Sequence, residues 1–218
     1  MTPPKRFVEL NHVLEDGMAA YPGLPNARIS ALLDHATSKA RHDGKAEFYL
    51  GKVDMPCNVG TYLDSPFHRY ADRDDLSQVG LDRVAGLPGT VLDAALTPRA
   101  VHPPYDGVAE AGAVLIRTGW DARWGTPEYW ELGPFLAPAF LDELIRAKPA
   151  LVGVDFWNVD NTEDPARPAH TRLLAAGILV VEHLTNLQAL PPTGFRFSAV
   201  PLRIVRGASF PVRAFAGI

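Results

Sequence analysis

The stretch that decides the fold runs from Pro138 to Leu184. Within it, PAFLDELIRAK (Pro138–Lys148), ALVGVD (Ala150–Asp155), AHTRLLAAG (Ala169–Gly177) and ILVVEHL (Ile178–Leu184) follow one another. The first piece sets Phe140, Leu141, Leu144 and Ile145 on one stripe, with Pro138 near its start and Arg146 and Lys148 near its end. That is the pattern of an amphipathic helix whose basic residues suit its C-terminus. ALVGVD is a short apolar run, as expected of a buried strand. AHTRLLAAG reads as a second, short helix closed by Gly177, and ILVVEHL as another strand. This alternation predicts the α/β class, a mixed sheet with helices packed against it.

Working outward, GTVLDAAL (Gly89–Leu96) and AVLIRTGW (Ala113–Trp120) read as further strands. FVEL (Phe7–Leu10), RISALL (Arg28–Leu33) and FYLGKVDM (Phe48–Met55) are strand-like, and FRFSAVPLRIV (Phe195–Val205) is expected to end the sheet. Between Asp34 and Glu47 the chain is polar without a clean period, which reads as a loop or flap. PCNVGTYLDSPFH (Pro56–His68) holds two prolines and a central glycine and is no uninterrupted helix. With no internal repeat and no linker, residues 1–218 are expected to form a single domain.

The 218 residues suffice for one substantial core. Apolar residues make up 47% and charged residues 21%, an ordinary globular mixture. The formal net charge of -4, with no basic block and no zinc-finger spacing, argues against nucleic acid as a partner. The single cysteine, Cys57, excludes an intrachain disulfide. The N-terminus has no long apolar core of a signal peptide, and no apolar run is long enough to span a membrane. The expected setting is cytoplasmic, with a small molecule as partner.

Candidate chemistry lies in a few places. His68 suits a general base because imidazole titrates near neutrality, and Asp64 could orient it or hold a metal; an Asp before Ser-Pro can equally just order a turn. Glu182 closes the run ILVVE, where a carboxylate at a strand end can face a cleft or be paired structurally, and His170 opens a helical stretch. Asp155 and Asp160 flank FWNV; one is expected to bind or orient a substrate and the other to order the loop. Trp120, Trp124, Tyr129 and Trp130, with Phe156 and Trp157, could form an aromatic substrate lid, with Trp120, Phe156 and Trp157 as its binding faces, or pack in a core or interface. Cys57 reads as a packed residue rather than a nucleophile. Arg69 and Arg123 are candidates for a substrate carboxylate, or solvent-facing.

YPGLP (Tyr21–Pro25), NVGTYLDSPFH (Asn58–His68), IRTGW (Ile116–Trp120), LVGVDFWNVD (Leu151–Asp160), HTRLL (His170–Leu174), VEHLTNL (Val181–Leu187) and FSAVPLRIVRGASFPVRAFA (Phe197–Ala216) together resemble the cyclase family that includes kynurenine formamidases and isatin hydrolases. The resemblance runs almost end to end. It implies a swivelling β/β/α domain, hydrolase-type chemistry and association as a homodimer or higher homo-oligomer. Metal-dependent members carry a His-x-Gly-Thr-His-x-Asp-x-Pro-x-His motif. Here Asn58 and Tyr62 stand at its first two histidines, while Asp64 and His68 are kept; His170 and Glu182 match the downstream ligands. Gly60, Thr61 and Pro66 match as well.

Asn and neutral Tyr are weaker metal ligands than His. The resemblance so altered implies a metal-free cyclase or lyase. His68, Asp64, Glu182, His170, Tyr62 and Asn58 would work by acid/base chemistry on a small carbonyl compound, aromatic or polyketide-like. A specialised pathway such as antibiotic biosynthesis would be its setting, and no cofactor its requirement. The alternative is an amide, lactam or lactone hydrolase with one zinc or manganese on Asp64, His170 and Glu182. A third reading is a ligand-binding relative without catalysis.

Overall fold

The computed structural model of the protein describes residues 6–94, 99–104 and 112–218. Two compact units are present, one made of residues 1–12 and 61–218, the other of Val13–Gly60.

The larger unit is built on a nine-stranded mixed sheet. Its strands are β1 (Phe7–Glu9), β4 (Tyr62–Asp64), β5 (Leu87–Asp93), β7 (Ala113–Arg117), β9 (Leu151–Val154), β10 (Leu179–Glu182), β11 (Thr193–Val200), β12 (Ser209–Pro211) and β13 (Arg213–Gly217), in the order β1-β13-β11-β5-β7-β9-β10-β4-β12. The centre, β5 through β10, is parallel, and both flanks are antiparallel. A short parallel pair, β6 (Ala100–Val101) with β8 (Phe135–Leu136), stands apart.

Side-chain alternation divides the sheet's two faces. Val114, Ile116, Val152, Val154 and Val180 pack on α2 (Pro138–Ala147) and α3 (Pro168–Ala175) through Phe140, Leu141, Leu144, Leu173 and Leu174. The helical stripe read from the sequence is the stripe that is buried, except that Ile145 is only partly covered. The other face carries Leu115, Leu151, Leu179 and Val181 with Phe195 and Phe197. Gly153 is glycine for a packing reason. A Cβ there would come within 2.5 Å of Leu184 Cδ1 and 2.8 Å of Leu115 Cδ2.

The sheet does not end at Phe195–Val205, as the sequence suggested. β12 and β13 follow, β13 pairing β1 with β11 and β12 covering β4. The strand read over GTVLDAAL ends at Asp93, and its Ala95 and Leu96 lie outside the described residues.

The smaller unit holds the antiparallel pair β2 (Arg28–Leu33) and β3 (Leu50–Asp54) around α1 (His35–Arg41). The stretch Asp34–Glu47, read as a loop, thus contains a seven-residue helix. Asp34 caps it by accepting a 2.7 Å bond from Thr37 N, and its one buried residue is Ser38, so no apolar period announces it. Gly60 closes the unit at φ +61, a left-handed conformation that suits glycine. Among the described residues, no helix is long and apolar enough to cross a membrane.

Candidate active site

Register builds the site. β10 pairs with β4 so that Val180 lies opposite Asp64 and Glu182 opposite Tyr62, while β12 sets Ser209 opposite Asp64. Partners directly opposite in an antiparallel pair share a face. Tyr62, Asp64, Glu182 and Ser209 therefore stand on the face that Val180 gives to α3, and α3 lays His170 over them.

Asp160 aims His170. It accepts bonds from Ala169 N at 2.5 Å and His170 N at 3.3 Å, serving the first turn of α3, whose N-cap residue Arg167 provides no side-chain cap. The same carboxylate takes His170 Nδ1 at 2.6 Å. The second ring nitrogen, Nε2, then points at Asp64 Oδ2, 3.5 Å away, and Glu182 Oε1, 3.6 Å away.

Ser209 aims His68. Its hydroxyl donates a short bond to Asp64 Oδ1 and lies 3.2 Å from His68 Nδ1. With its only hydrogen given to Asp64, Ser209 Oγ accepts from the imidazole, so Nδ1 carries hydrogen and Nε2 is the basic nitrogen. The His68 side chain is 35% exposed, whereas Asp64 is fully buried.

Tyr62 is buried, and its hydroxyl donates to Glu182 Oε2 at 2.5 Å; Val159 N donates to Oε1 at 2.8 Å. The structure thus brings Tyr62, Asp64, His68, His170 and Glu182 together. Asn58 is half-buried in the smaller unit.

Electrostatics follows from this packing. Burial works against charge on Asp64, but His68 and His170 outweigh it and hold the carboxyl below the usual range. Burial, with repulsion from Asp64, pushes Glu182 up to about 7 against the opposing pull of His170, Tyr62 and Val159 N. Burial would strip His170 of its proton, yet Asp160, Asp64 and Glu182 raise it well above the ordinary value. Three carboxylates around one imidazole leave the centre short of positive charge.

That deficit fits a metal ion. Asp64 Oδ2 is buried and, among the described residues, has no hydrogen-bond partner. Its 3.5 Å separation from His170 Nε2 is long for a hydrogen bond. It matches the roughly 3.4 Å edge between two ligands each about 2.1 Å from a tetrahedral zinc. The remaining bond of His170, to Asp160, is the carboxylate support typical of ligating histidines. Asp64, His68 and His170 each offer a ligand atom within 4.8 Å of the others.

The aromatic residues surround a different centre, His183. Tyr62, Trp124, Tyr129 and Trp130 have ring centroids 5.3, 5.5, 5.6 and 5.7 Å from its ring. Tyr129 OH meets His183 Nδ1 at 2.8 Å, and burial raises that phenol well above its ordinary pKa, so it stays neutral. Trp120 and Trp157 donate their indole N–H groups to Tyr129 O and Glu131 O. Phe156 is fully buried in the core beneath the helices. Trp157 reaches the cluster through Trp130, at 6.0 Å. Asp155, one of the two aspartates considered for substrate binding or loop ordering, accepts from Thr118 N, Thr118 Oγ1 and Gly119 N.

With this geometry in hand, the Cyclase family model matches residues 8–161. The chain belongs to the Cyclase family. A kynurenine formamidase of Salinibacter ruber is 30% identical to this Cyclase member over 177 residues, 80% of this chain and 82% of the relative. The kynurenine formamidase of Geobacillus thermodenitrificans is 29% identical over 95% of each chain. Isatin hydrolase A from Labrenzia aggregata superposes with a TM-score of 0.81 at 24% identity, covering 97% of this chain and 93% of that one, and so shares its fold.

Sequence reasoning missed Ser209. It lies 145 residues from Asp64, and only the β4–β12 register joins them. Of Asp155 and Asp160, one was expected to bind substrate and the other to order the loop; the grip of Asp160 on the imidazole of His170, ten residues later, depends on the start of α3 at Pro168.

Proposed function

We propose that this Cyclase family member is a hydrolase that opens an amide or lactam C–N bond in a small aromatic carbonyl compound, using one divalent ion held by Asp64 and His170. The observation that carries this reading is the buried Asp64 Oδ2, which has no hydrogen-bond partner among the described residues and faces His170 Nε2 at 3.5 Å, while Asp160 already holds the other ring nitrogen. The kynurenine formamidase relatives and the isatin hydrolase fold support the same bond class. Glu182, whose Oε1 lies 3.6 Å from His170 Nε2, would complete the ligand set and leave His68 free as the base.

A zinc or manganese ion bound there would serve as the Lewis acid that polarises the scissile carbonyl. Asp64 and His170 orient toward that point from the sheet and from α3. His68 Nε2, on a side chain that is 35% exposed, takes the proton of the attacking water and delivers it to the leaving nitrogen, while Ser209 and Asp64 hold Nδ1. Tyr62 keeps Glu182 in place and adds an aromatic wall continuous with the His183 cluster.

A second reading draws on one observation. The close Tyr62–Glu182 pair, with Glu182 pushed to about 7, is an acid/base couple that needs no ion. It would serve the metal-free cyclase or lyase that the altered motif suggests. Hydrolysis of isatin and of formanilide separates the two. The hydrolase reading expects turnover that a chelator lowers more than tenfold and zinc or manganese restores. Turnover that survives complete ion removal would defeat it in favour of the second.

A further inference from the structure

Arg69 lies beside this site, Arg73 shares the Tyr70 ring with it, and neither forms an ion pair among the described residues. Arg69 follows His68, and its Nε donates to Thr171 Oγ1 at 3.1 Å, on the residue after His170. Tyr70 OH donates to Thr171 O at 2.8 Å and ties the same segment to α3. The rings of His68 and His170 are 5.6 Å apart, so the tether fixes Arg69 at the rim that these two histidines share. Both guanidiniums rest on the Tyr70 ring, 5.7 and 5.8 Å from its centroid, within reach of a cation–π attraction.

This arrangement leaves a specific vacancy of charge. Nε of Arg69 is engaged, and its two Nη groups have no partner among the described residues. Both arginines are exposed, and the neighbouring Asp72 and Asp74 pair with neither. The stem is held while the planar fork, the part that binds carboxylates bidentately, stays open. The interior of the site is acidic through Asp64, Asp160 and Glu182, which disfavours an anion unless a cation meets it at the rim. The open fork of Arg69 there supplies one, with Arg73 on the same Tyr70 ring behind it.

We propose that Arg69, backed by Arg73, is the specificity residue for a carboxylate on the substrate, so that the preferred substrates are small aryl amides or lactams bearing one. The substrate class rests on the hydrolase reading; the anion site does not. Benzoate and benzamide differ in charge at nearly constant shape, and their binding to the whole protein is measurable by calorimetry without turnover. Benzoate should bind the wild type more tightly. Arg69→Ala should lower the benzoate-to-benzamide affinity ratio at least tenfold, with Arg69→Lys recovering part of it. In turnover, the kcat/KM ratio of N-formylanthranilate over formanilide should fall about 10- to 100-fold in R69A, mainly through KM.

An unchanged ratio in R69A overturns the proposal. So does an equal weakening of both ligands in R69A and R69K, which marks a structural role. Failure to hydrolyse either amide, with benzoate selectivity still dependent on Arg69, sinks the hydrolase reading and leaves the anion site standing.

Discussion

Replacing Asp160 by Asn tests how His170 is aimed. The wild-type carboxylate accepts three bonds at once, from Ala169 N, His170 N and His170 Nδ1. Asparagine keeps the shape and one acceptor oxygen, so α3 retains part of its cap. Losing part of a cap costs about 0.5–1 kcal/mol, within the range for weakened N-terminal caps. The larger effect falls on the imidazole. The amide NH2 turned toward Nδ1 donates a hydrogen bond, which moves the ring hydrogen to Nε2. That nitrogen then donates to Asp64 Oδ2 and no longer offers a lone pair. Loss of such support typically weakens metal binding 10- to 100-fold, or about 1.4–2.7 kcal/mol. Competition against a chromophoric chelator reads zinc affinity, and a melting curve reads the cap. The reasoning fails if D160N binds zinc as tightly as the wild type while remaining folded.

Ser209→Ala removes the acceptor that holds His68 Nδ1 and should lower kcat about tenfold with little change in KM, measured by steady-state kinetics. Gly89→Ala should destabilise by about 1–3 kcal/mol in urea unfolding, because a Cβ there would stand 2.0 Å from the Phe195 ring. Burial depresses His12 to about 4, with Asp121 opposing, and its ring stacks on Trp124 at 3.7 Å. A lowered histidine pKa withdraws stability as pH falls from the unfolded value near 6.5 toward 4, since only the unfolded chain takes up the proton there. His12→Phe keeps the stack and removes the titration. It should gain up to about 3 kcal/mol on the wild type between pH 6.5 and pH 4, and a pH-independent difference would contradict this.

The parts of the fold legible in the sequence were those whose burial is local. Leu151–Val154 and residues 179–181 are apolar because helices cover one face and core the other, and α2 declares itself through the stripe from Phe140 to Leu144. α1 stayed hidden because its stability rests on Asp34 and on Ser38 rather than on an apolar stripe. β12 and β13 were misjudged because Pro211 and Val212 interrupt the alternation that would announce them. In the site, Asp64, His68, His170 and Glu182 were legible through the resemblance to the family's motif rather than through spacing alone. What each does was not. The separate tasks of the two histidines depend on Ser209 and Asp160, groups that meet them only through sheet register and a helix start. The substitution of Tyr62 was legible as a loss of a ligand, but its hydrogen bond to Glu182 required the β4–β10 pairing.

The central claim is that Asp64 and His170 hold an ion. Elemental analysis of untagged protein, purified without added metal and again after incubation with zinc and with manganese, tests it most directly. The account predicts about one ion per chain, retained through gel filtration and lost in folded Asp64→Ala and His170→Ala variants. Folded wild-type protein that retains no ion after either incubation would contradict it, and would leave the Tyr62–Glu182 pair as the basis of the chemistry.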